Sequence, residues 1–319
     1  MSLISIVIPV YNEQECVARM FERLEALPKD PSDRWEYIFV DDGSRDRTLA
    51  ILRELAAGSD RVKYVSFSRN FGHEAALTAG LDHATGDAVI TLDGDLQHPP
   101  ELIPRLLYAW RTGNQIVYAR RESSKHLPAL KAFLSRWFYR AIRQSSRAEI
   151  PPDTANFRLM DRRAVEQFRR LRESSRFGRG LVAWTGFRQA FVPYSEEERF
   201  AGTTKYTTWQ SARLAADAFV SFTDLPLRLS TWSGAAFLAA AFVLLLVAVV
   251  RMLASGGQFG RTALILGCVF LCSGTVLVMM GLMGAYVGRI YRQAQQRPLY
   301  IVAEKSPALP PGPEGAAQQ

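Results

Sequence analysis

Between Ile4 and Tyr118 the chain switches repeatedly from short, β-branched apolar runs to segments whose apolar residues recur every three or four positions. The predicted strands are Ile4–Pro9, Glu36–Val40, Val62–Phe67, Asp87–Leu92 and Gln115–Tyr118. Between them fall Val17, Met20, Phe21, Leu24 and Leu27, then Leu49, Leu52, Leu55 and Ala56. Two more sets follow: Ala76, Leu77, Gly80, Leu81 and Ala84, then Leu102, Ile103, Leu106, Leu107 and Trp110. This is the period of a helix that lays one face on a sheet. Alternating strands and helices connect through right-handed crossovers into parallel sheets, which bind ligands beyond the carboxyl ends of their strands. The predicted class is α/β with a mostly parallel central sheet.

Polar clusters fall at those carboxyl ends: Tyr11-Asn12-Glu13, Asp41-Asp42-Gly43-Ser44 and Asp93-Gly94-Asp95. Asp93 and Asp95 are two residues apart at a strand end, so their side chains share a face. Paired carboxylates make a hard oxygen seat for Mg²⁺ or Mn²⁺, completed by phosphate oxygens. A lone D-x-D occurs in many surface turns; here its weight comes from three clusters on one rim. Asp41 and Asp42 suit a nucleobase N–H and ribose hydroxyls, or else Asp42, Ser44 and Asp46 cap a helix. Pro9-Val10-Tyr11-Asn12-Glu13 stands where a glycine-rich dinucleotide loop would be, and no G-x-x-x-x-G-K-[S/T] occurs. A bound nucleotide is therefore expected to be held by acids and a metal.

Thr231–Val250 and Thr262–Gly288 contain no charged residue, and each is long enough to cross a bilayer. They predict a transmembrane hairpin. The first strand begins close to Met1 with no signal peptide expected before it. The large domain and both termini are then cytosolic, on the inner membrane. Arg213, Arg228, Arg289, Arg292 and Arg297 flank the inner side, against Arg251 and Arg261 outside. Gly281/Ala285 and Gly284/Gly288 offer close helix contact. Cys16, Cys268 and Cys272 have neither metal-site nor disulfide-framework spacing.

The net charge of +8 draws on a basic segment, Arg120–Arg147. There Leu130, Phe133, Leu134, Trp137, Ala141 and Ile142 form an apolar stripe beside Lys131, Arg136, Arg140 and Arg143. Such a helix suits a membrane interface, or packs on the domain. No nucleic-acid-binding motif is present. Pro298–Val302 reads as a short strand docking on the domain or on a neighbouring protomer, and Ser306–Gln319 has the composition of a disordered tail.

Ser5–Glu13, Val40–Ser44, Arg69-Asn70-Phe71-Gly72 and Asp93–Gln97 resemble the motifs of family 2 glycosyltransferases with the GT-A fold. The resemblance is closest to polyprenyl-phosphate glycosyltransferases and runs from about Leu3 to Val302. It implies a GT-A domain over 1–208, an interfacial segment over 209–230, the hairpin over 231–288 and a cytosolic end over 289–319. It also implies that Asp93 and Asp95 hold the metal on the donor diphosphate, with Gln97 close to sugar and metal. Pro9, Tyr11, Glu13 and Asp42 match the nucleotide-contacting loops. Arg199–Tyr206 is similar to a loop that closes over the donor, with Arg199 and Lys205 offsetting diphosphate charge. Arg121, Lys131 and Ser135 match positions that hold the lipid phosphate, and Arg158 lies near the active site. A homotetramer is implied as well.

One departure stands out. The family's G-D-F-R-L reads Ala155-Asn156-Phe157-Arg158-Leu159, so an Asp often proposed as base is replaced by Asn156. Asp153 is a substitute base, or none is required, since a phosphate monoester is largely dianionic near neutral pH (second pKa about 6). The expected activity is metal-dependent, inverting transfer of a sugar, UDP-glucose favoured, to polyprenyl phosphate. The alternatives are a processive polysaccharide synthase, although no Q-x-x-R-W occurs, and a non-catalytic nucleotide-sugar-binding membrane protein.

Overall fold

The computed structural model describes residues 1–121, 154–173, 176, 178–194 and 259–309, with isolated helical positions between 232 and 250. Among the described residues eight strands form a single sheet: β1 (Leu3–Val10), β2 (Arg34–Asp41), β3 (Val62–Phe67), β4 (Ala88–Thr91), β5 (Ile116–Arg121), β6 (Thr154–Asp161), β7 (Gln189–Tyr194) and β8 (Val302–Lys305). Their order is β7-β5-β6-β4-β1-β2-β3-β8. Only β6 and β8 run against the rest, so the sheet is mostly parallel. The first five strands stand where the sequence predicts them, with ends shifted by a few residues. β6 and β7 were not predicted. β6 puts polar Asn156 and Arg158 on one face of a strand that is covered on both sides, and β7 contains Pro193, which a strand at the sheet's edge accommodates.

Helices cover both faces. α1 (Val17–Glu25), α2 (Thr48–Gly58) and α4 (Ile103–Arg111) pack with Ile4, Ile6 and Ile8 of β1 into one core. α3 (His73–His83), α5 (Arg162–Arg170) and α6 (Gly178–Trp184) pack with Val7, Ile38, Val40 and Val89 into the other. Consecutive residues of β1 thus feed opposite cores, as the two-residue period of a strand requires. α3 lies especially close to β1: a β-carbon on Gly80 would come within 2.1 Å of Val7 Cγ1.

The chain builds β1, β2 and β3 outward in one direction, then returns to place β4 on the other side of β1. That reversal opens a crevice between the loops after β1 and β4, the ligand site of doubly wound sheets. β4 pairs with β1 only as far as Val7↔Thr91. Pro9, which has no N–H to donate, falls beyond the last β4 pair.

Of the predicted strand Pro298–Val302 only Val302 is in a strand, the first residue of β8, and β8 docks on the same chain by pairing antiparallel with β3. Before it runs α7 (Phe259–Ala294), 36 residues long and about 54 Å at the helical rise. Within it, Cys272–Ala294 is long and apolar enough to cross a membrane, and none of it is buried. It is the one such helix among the described residues, so the predicted pair of spans is not reached. The Thr231–Val250 stretch lies outside the described residues except at isolated positions, of which Trp232, Phe242, Leu246 and Val250 are helical and exposed.

Candidate active site

The three polar clusters share one edge of the sheet. Val10 on β1 is level with Asp41 on β2, and Asp41 with Ser66 on β3. The loops after β1 and β2 are tied by hydrogen bonds that extend neither strand. The Asn12 amide donates to Ser44 Oγ (2.9 Å), the Arg45 amide to Asn12 Oδ1 (2.8 Å) and the Glu13 amide to Thr48 Oγ1 (2.9 Å). Asn12 holds φ at 52°, a left-handed conformation that asparagine tolerates.

Asp41 and Asp42 are both buried. Asp41 accepts from the Ser44 amide at 3.0 Å and from Ser66 Oγ at 2.7 Å. Asp42 accepts from the amides of Phe71 and Gly72 at 2.7 and 3.0 Å. Burial leads the effects that raise the Asp42 pKa above its ordinary value, and those two amides only partly offset it. In this arrangement the carboxylates order the loops after β2 and β3, including the predicted Arg69–Gly72 motif.

Asp93, Asp95 and Gln97 follow β4 and alternate with buried neighbours. All three are half-exposed while Gly94, Leu96 and His98 face inward. The Gln97 amide donates to Asp95 Oδ1 at 3.1 Å, and Leu96 takes a left-handed φ of 62°. A branched-chain residue in that region is strained, and such strain concentrates at functional loops. Asp93 receives a histidine on each oxygen: His73 Nε2 lies 2.7 Å from Oδ1 and His98 Nε2 3.2 Å from Oδ2. Burial alone would raise the Asp93 pKa, but the charge and hydrogen bond of His73, with the bond from His98, hold it well below the usual carboxylate range. Burial would lower His73, yet the charge and hydrogen bond of Asp93 raise it above its ordinary value.

Neither histidine was singled out in the sequence, although His98 closes the Asp93–Gln97 motif and His73 follows Arg69–Gly72. Their chemical role is visible only once α3 brings its first residue to the end of β4.

Asn156 stands on β6 at the same edge. Its carbonyl accepts from Thr91 Oγ1, its amide nitrogen lies 3.5 Å from His73 Nδ1, and Arg179 Nε is 3.4 Å from its Oδ1. The departure from the family motif therefore faces the histidine that holds Asp93. Two positions along, Arg158 lies level with Thr91 and Tyr118 on the neighbouring strands and is 1% exposed. Its Nε and Nη1 have no hydrogen-bond partner among the described residues, and burial lowers its pKa. Arg121 ends β5, exposed. Asp153, Lys131, Ser135, Arg199 and Lys205 lie outside the described residues.

The donor set suits a hard divalent cation. Its acids are carboxylates, Asp93 is held ionised, and both side chains reach the surface. Among the described residues no cluster of three or more His, Cys, Asp or Glu is placed to enclose a metal. Two acids leave most of an octahedral shell to oxygens from outside the chain, as a bound diphosphate would supply.

Comparison with known proteins bears on the family and the fold. The model of the family described as "Glycosyl transferase family 2" matches residues 5–169. The chain is 40% identical over 298 residues to the "Uncharacterized glycosyltransferase YkcC" of Bacillus subtilis, covering 93% of this chain and 92% of that one. It is 37% identical to the "Bactoprenol glucosyl transferase" of Shigella phage SfV, covering 94% of this chain and 97% of the other. Among solved structures, glucosyl-3-phosphoglycerate synthase from Mycobacterium tuberculosis, in complex with Mn²⁺, uridine diphosphate and glucosyl-3-phosphoglycerate, superposes with a TM-score of 0.51 at 20% identity. That overlap spans 69% of this chain and 80% of the synthase, and it shows a shared GT-A-like fold.

Proposed function

The chain belongs to glycosyl transferase family 2 and is a glycosyltransferase, and we propose that it moves a sugar from a nucleotide-diphosphate donor, UDP-glucose favoured, to polyprenyl phosphate. The observation that carries this reading is the pair of half-exposed acids, Asp93 and Asp95, at the β1/β4 switch point beside the loops of Tyr11, Glu13 and Asp42. The lipid acceptor is supported by relatives named bactoprenol glucosyl transferases at 36–37% identity over nearly their whole length. The Mn²⁺ and uridine diphosphate bound by the structurally similar synthase support a metal and a uridine nucleotide.

In this reading Asp93 and Asp95 would hold Mg²⁺ or Mn²⁺, with Gln97 beside them. When bound, such an ion would supply Lewis-acid stabilisation for the charge on the leaving diphosphate. Pro9, Tyr11, Glu13, Asp41 and Asp42 frame the nucleotide side of the crevice. Arg199 and Lys205 add positive charge over the diphosphate, while Arg121, Lys131 and Ser135 hold the acceptor phosphate. The buried Arg158 has N–H donors at Nε and Nη1 without an acceptor among the described residues, which suits support of that anionic region. A phosphate oxygen attacks the anomeric carbon as its bond to the diphosphate breaks, inverting the configuration. The attacking group is already anionic at neutral pH, so neither Asp153 nor Asn156 has to remove a proton. Asn156 then serves to orient groups, and Asp153 remains available as a base.

The GT-A domain is assigned to 1–208, an interfacial segment to 209–230, membrane helices to 231–288 and a cytosolic end to 289–319. The exposed apolar face of Cys272–Ala294 supports attachment to the cytoplasmic membrane, where the acceptor resides, and a homotetramer is the proposed assembly. The test is Asp95→Asn: transfer of labelled glucose from UDP-glucose to undecaprenyl phosphate is expected to fall at least about 100-fold, with the protein still folded. Undiminished transfer would overturn the metal role.

A further inference from the structure

Asp93 is gripped from two directions, and one grip originates on a strand outside the residues matched by the family model. His98 is buried at the end of the Asp93–His98 run, with Nε2 3.2 Å from Asp93 Oδ2. Its other nitrogen, Nδ1, lies 2.8 Å from the hydroxyl of Tyr194, the last residue of β7. Phe157 packs against both rings, at centroid distances of 5.6 Å to His98 and 6.2 Å to Tyr194. His98 and Tyr194 are each 5% exposed, so water does not substitute freely for either partner.

A neutral imidazole carries its proton on one nitrogen, and the hydrogen bond at the other nitrogen selects which. An ionised Asp93 only accepts, so a neutral His98 facing it leaves Nδ1 bare, and the Tyr194 O–H is then the donor to Nδ1. The proton then resides on Nε2, where it is donated to Asp93 Oδ2. With the hydroxyl removed, Nδ1 loses its donor and the opposite tautomer becomes accessible. That tautomer turns an Nε2 lone pair toward a carboxylate oxygen, and the two repel.

We propose that Tyr194 is a positioning residue: through His98 it fixes the orientation in which the Asp93 carboxylate receives a divalent cation with its nucleoside diphosphate. This inference rests on the metal reading of Asp93 given above. Metal-bound carboxylates depend on outer hydrogen-bond partners in the same way as metal-bound histidines. The second grip, His73 on Oδ1 at 2.7 Å, comes from α3 and does not involve Tyr194. Loss of the hydroxyl therefore loosens the carboxylate without freeing it.

The test is calorimetric titration of Mn²⁺, with UDP as the nucleotide probe, into the full chain purified in detergent. Wild type, Tyr194→Phe, His98→Gln, His98→Leu, the Tyr194→Phe/His98→Gln double variant and Asp93→Ala are compared. Tyr194→Phe is expected to weaken Mn²⁺ binding about tenfold. A glutamine at 98 carries an amide N–H in the place of Nε2 and has no tautomer to set. His98→Gln should therefore retain more affinity than His98→Leu, and adding Tyr194→Phe to it should cause no further loss. A buried pair that only stabilises β7 would lower the unfolding temperature and leave Mn²⁺ affinity unchanged.

Equal Mn²⁺ affinity in wild type and Tyr194→Phe, with binding abolished in Asp93→Ala, overturns the positioning role and leaves the metal reading intact. The same tenfold loss in the glutamine background also overturns it, because Tyr194 would then act by another route. Absence of Mn²⁺ binding in the wild type overturns both. If Tyr194→Phe fails to fold, the comparison of His98→Gln with His98→Leu decides: equal losses reject the proposal.

Discussion

Gly94 lies so close to Val10 that a β-carbon there would stand 2.7 Å from Val10 Cγ1, and 3.0 Å from the Pro9 carbonyl oxygen. The residue between the two acids is thus the one that lets their loop press against β1. Gly94→Ala is expected to destabilise the fold by about 1–3 kcal/mol, the usual range for overpacking. Because the displaced loop carries both carboxylates, sugar transfer should fall by roughly 100-fold, as small misplacements of reacting groups do. Unfolding temperature and transfer rate check this together; wild-type values for both would show that the loop has room.

At the opposite end of β2 from Asp41, Glu36 is buried. It accepts from Lys63 Nζ at 2.5 Å, from the Thr85 amide at 2.9 Å and from Ser5 Oγ. Burial would raise its pKa, but the bonds from Lys63, Ser5 and Thr85 outweigh it and hold the group below the usual carboxylate range. A carboxyl depressed in the folded state stabilises it above the unfolded pKa. That contribution is lost as pH falls from the ordinary carboxylate range towards the lower folded value. Chemical denaturation between pH 7 and pH 3 (about the range of the effect) should show a steeper loss for wild type than for Glu36→Gln. Lys63→Met, which removes the charged partner of the buried carboxylate, should cost about 3–5 kcal/mol at neutral pH. Parallel pH curves for wild type and Glu36→Gln would reject the assignment.

Tyr300, between α7 and β8, is buried with its ring stacked 5.1 Å from Phe67. Its hydroxyl donates to Asp82 Oδ2 at 2.9 Å, and Arg172 spans both oxygens of Asp82 at 2.8 and 2.9 Å. Tyr300→Ala is expected to destabilise the domain by about 3–5 kcal/mol through the lost aromatic packing. Tyr300→Phe should cost only about 1.5–3 kcal/mol, the value of a hydrogen bond to a charged group, because Arg172 still neutralises Asp82. Denaturant midpoints of the two variants separate these contributions, and equal midpoints would place the whole effect in the hydroxyl.

The parts of the fold legible in the sequence are those governed by local period. β1 to β5 and α1 to α4 announce themselves because alternation and the three-to-four spacing are properties of neighbours along the chain. β6 carries a strand-like alternation, Ala155, Phe157 and Leu159 against Asn156 and Arg158, but its polar face is buried in the sheet, and the partners of Asn156 come from β4, α3 and α6. β8 is legible only at its first residue, Val302, and not in its pairing, because β3 lies more than two hundred residues away in the chain.

The identity of the two acids, the absence of a glycine cradle and the apolar C-terminal stretches follow from residue types in order, so one dimension suffices to read them. The clasp on Asp93 does not. His73, His98, Tyr194 and Asn156 come from α3, the loop after β4, β7 and β6, and nothing in their spacing brings them together. Hydrogen-bond partners are set by positions in space: only the pairing of β4 beside β1, with α3 starting against it, puts two imidazoles on one carboxylate, and only the continuation of the sheet through β6, β5 and β7 brings Asn156 and Tyr194 to them.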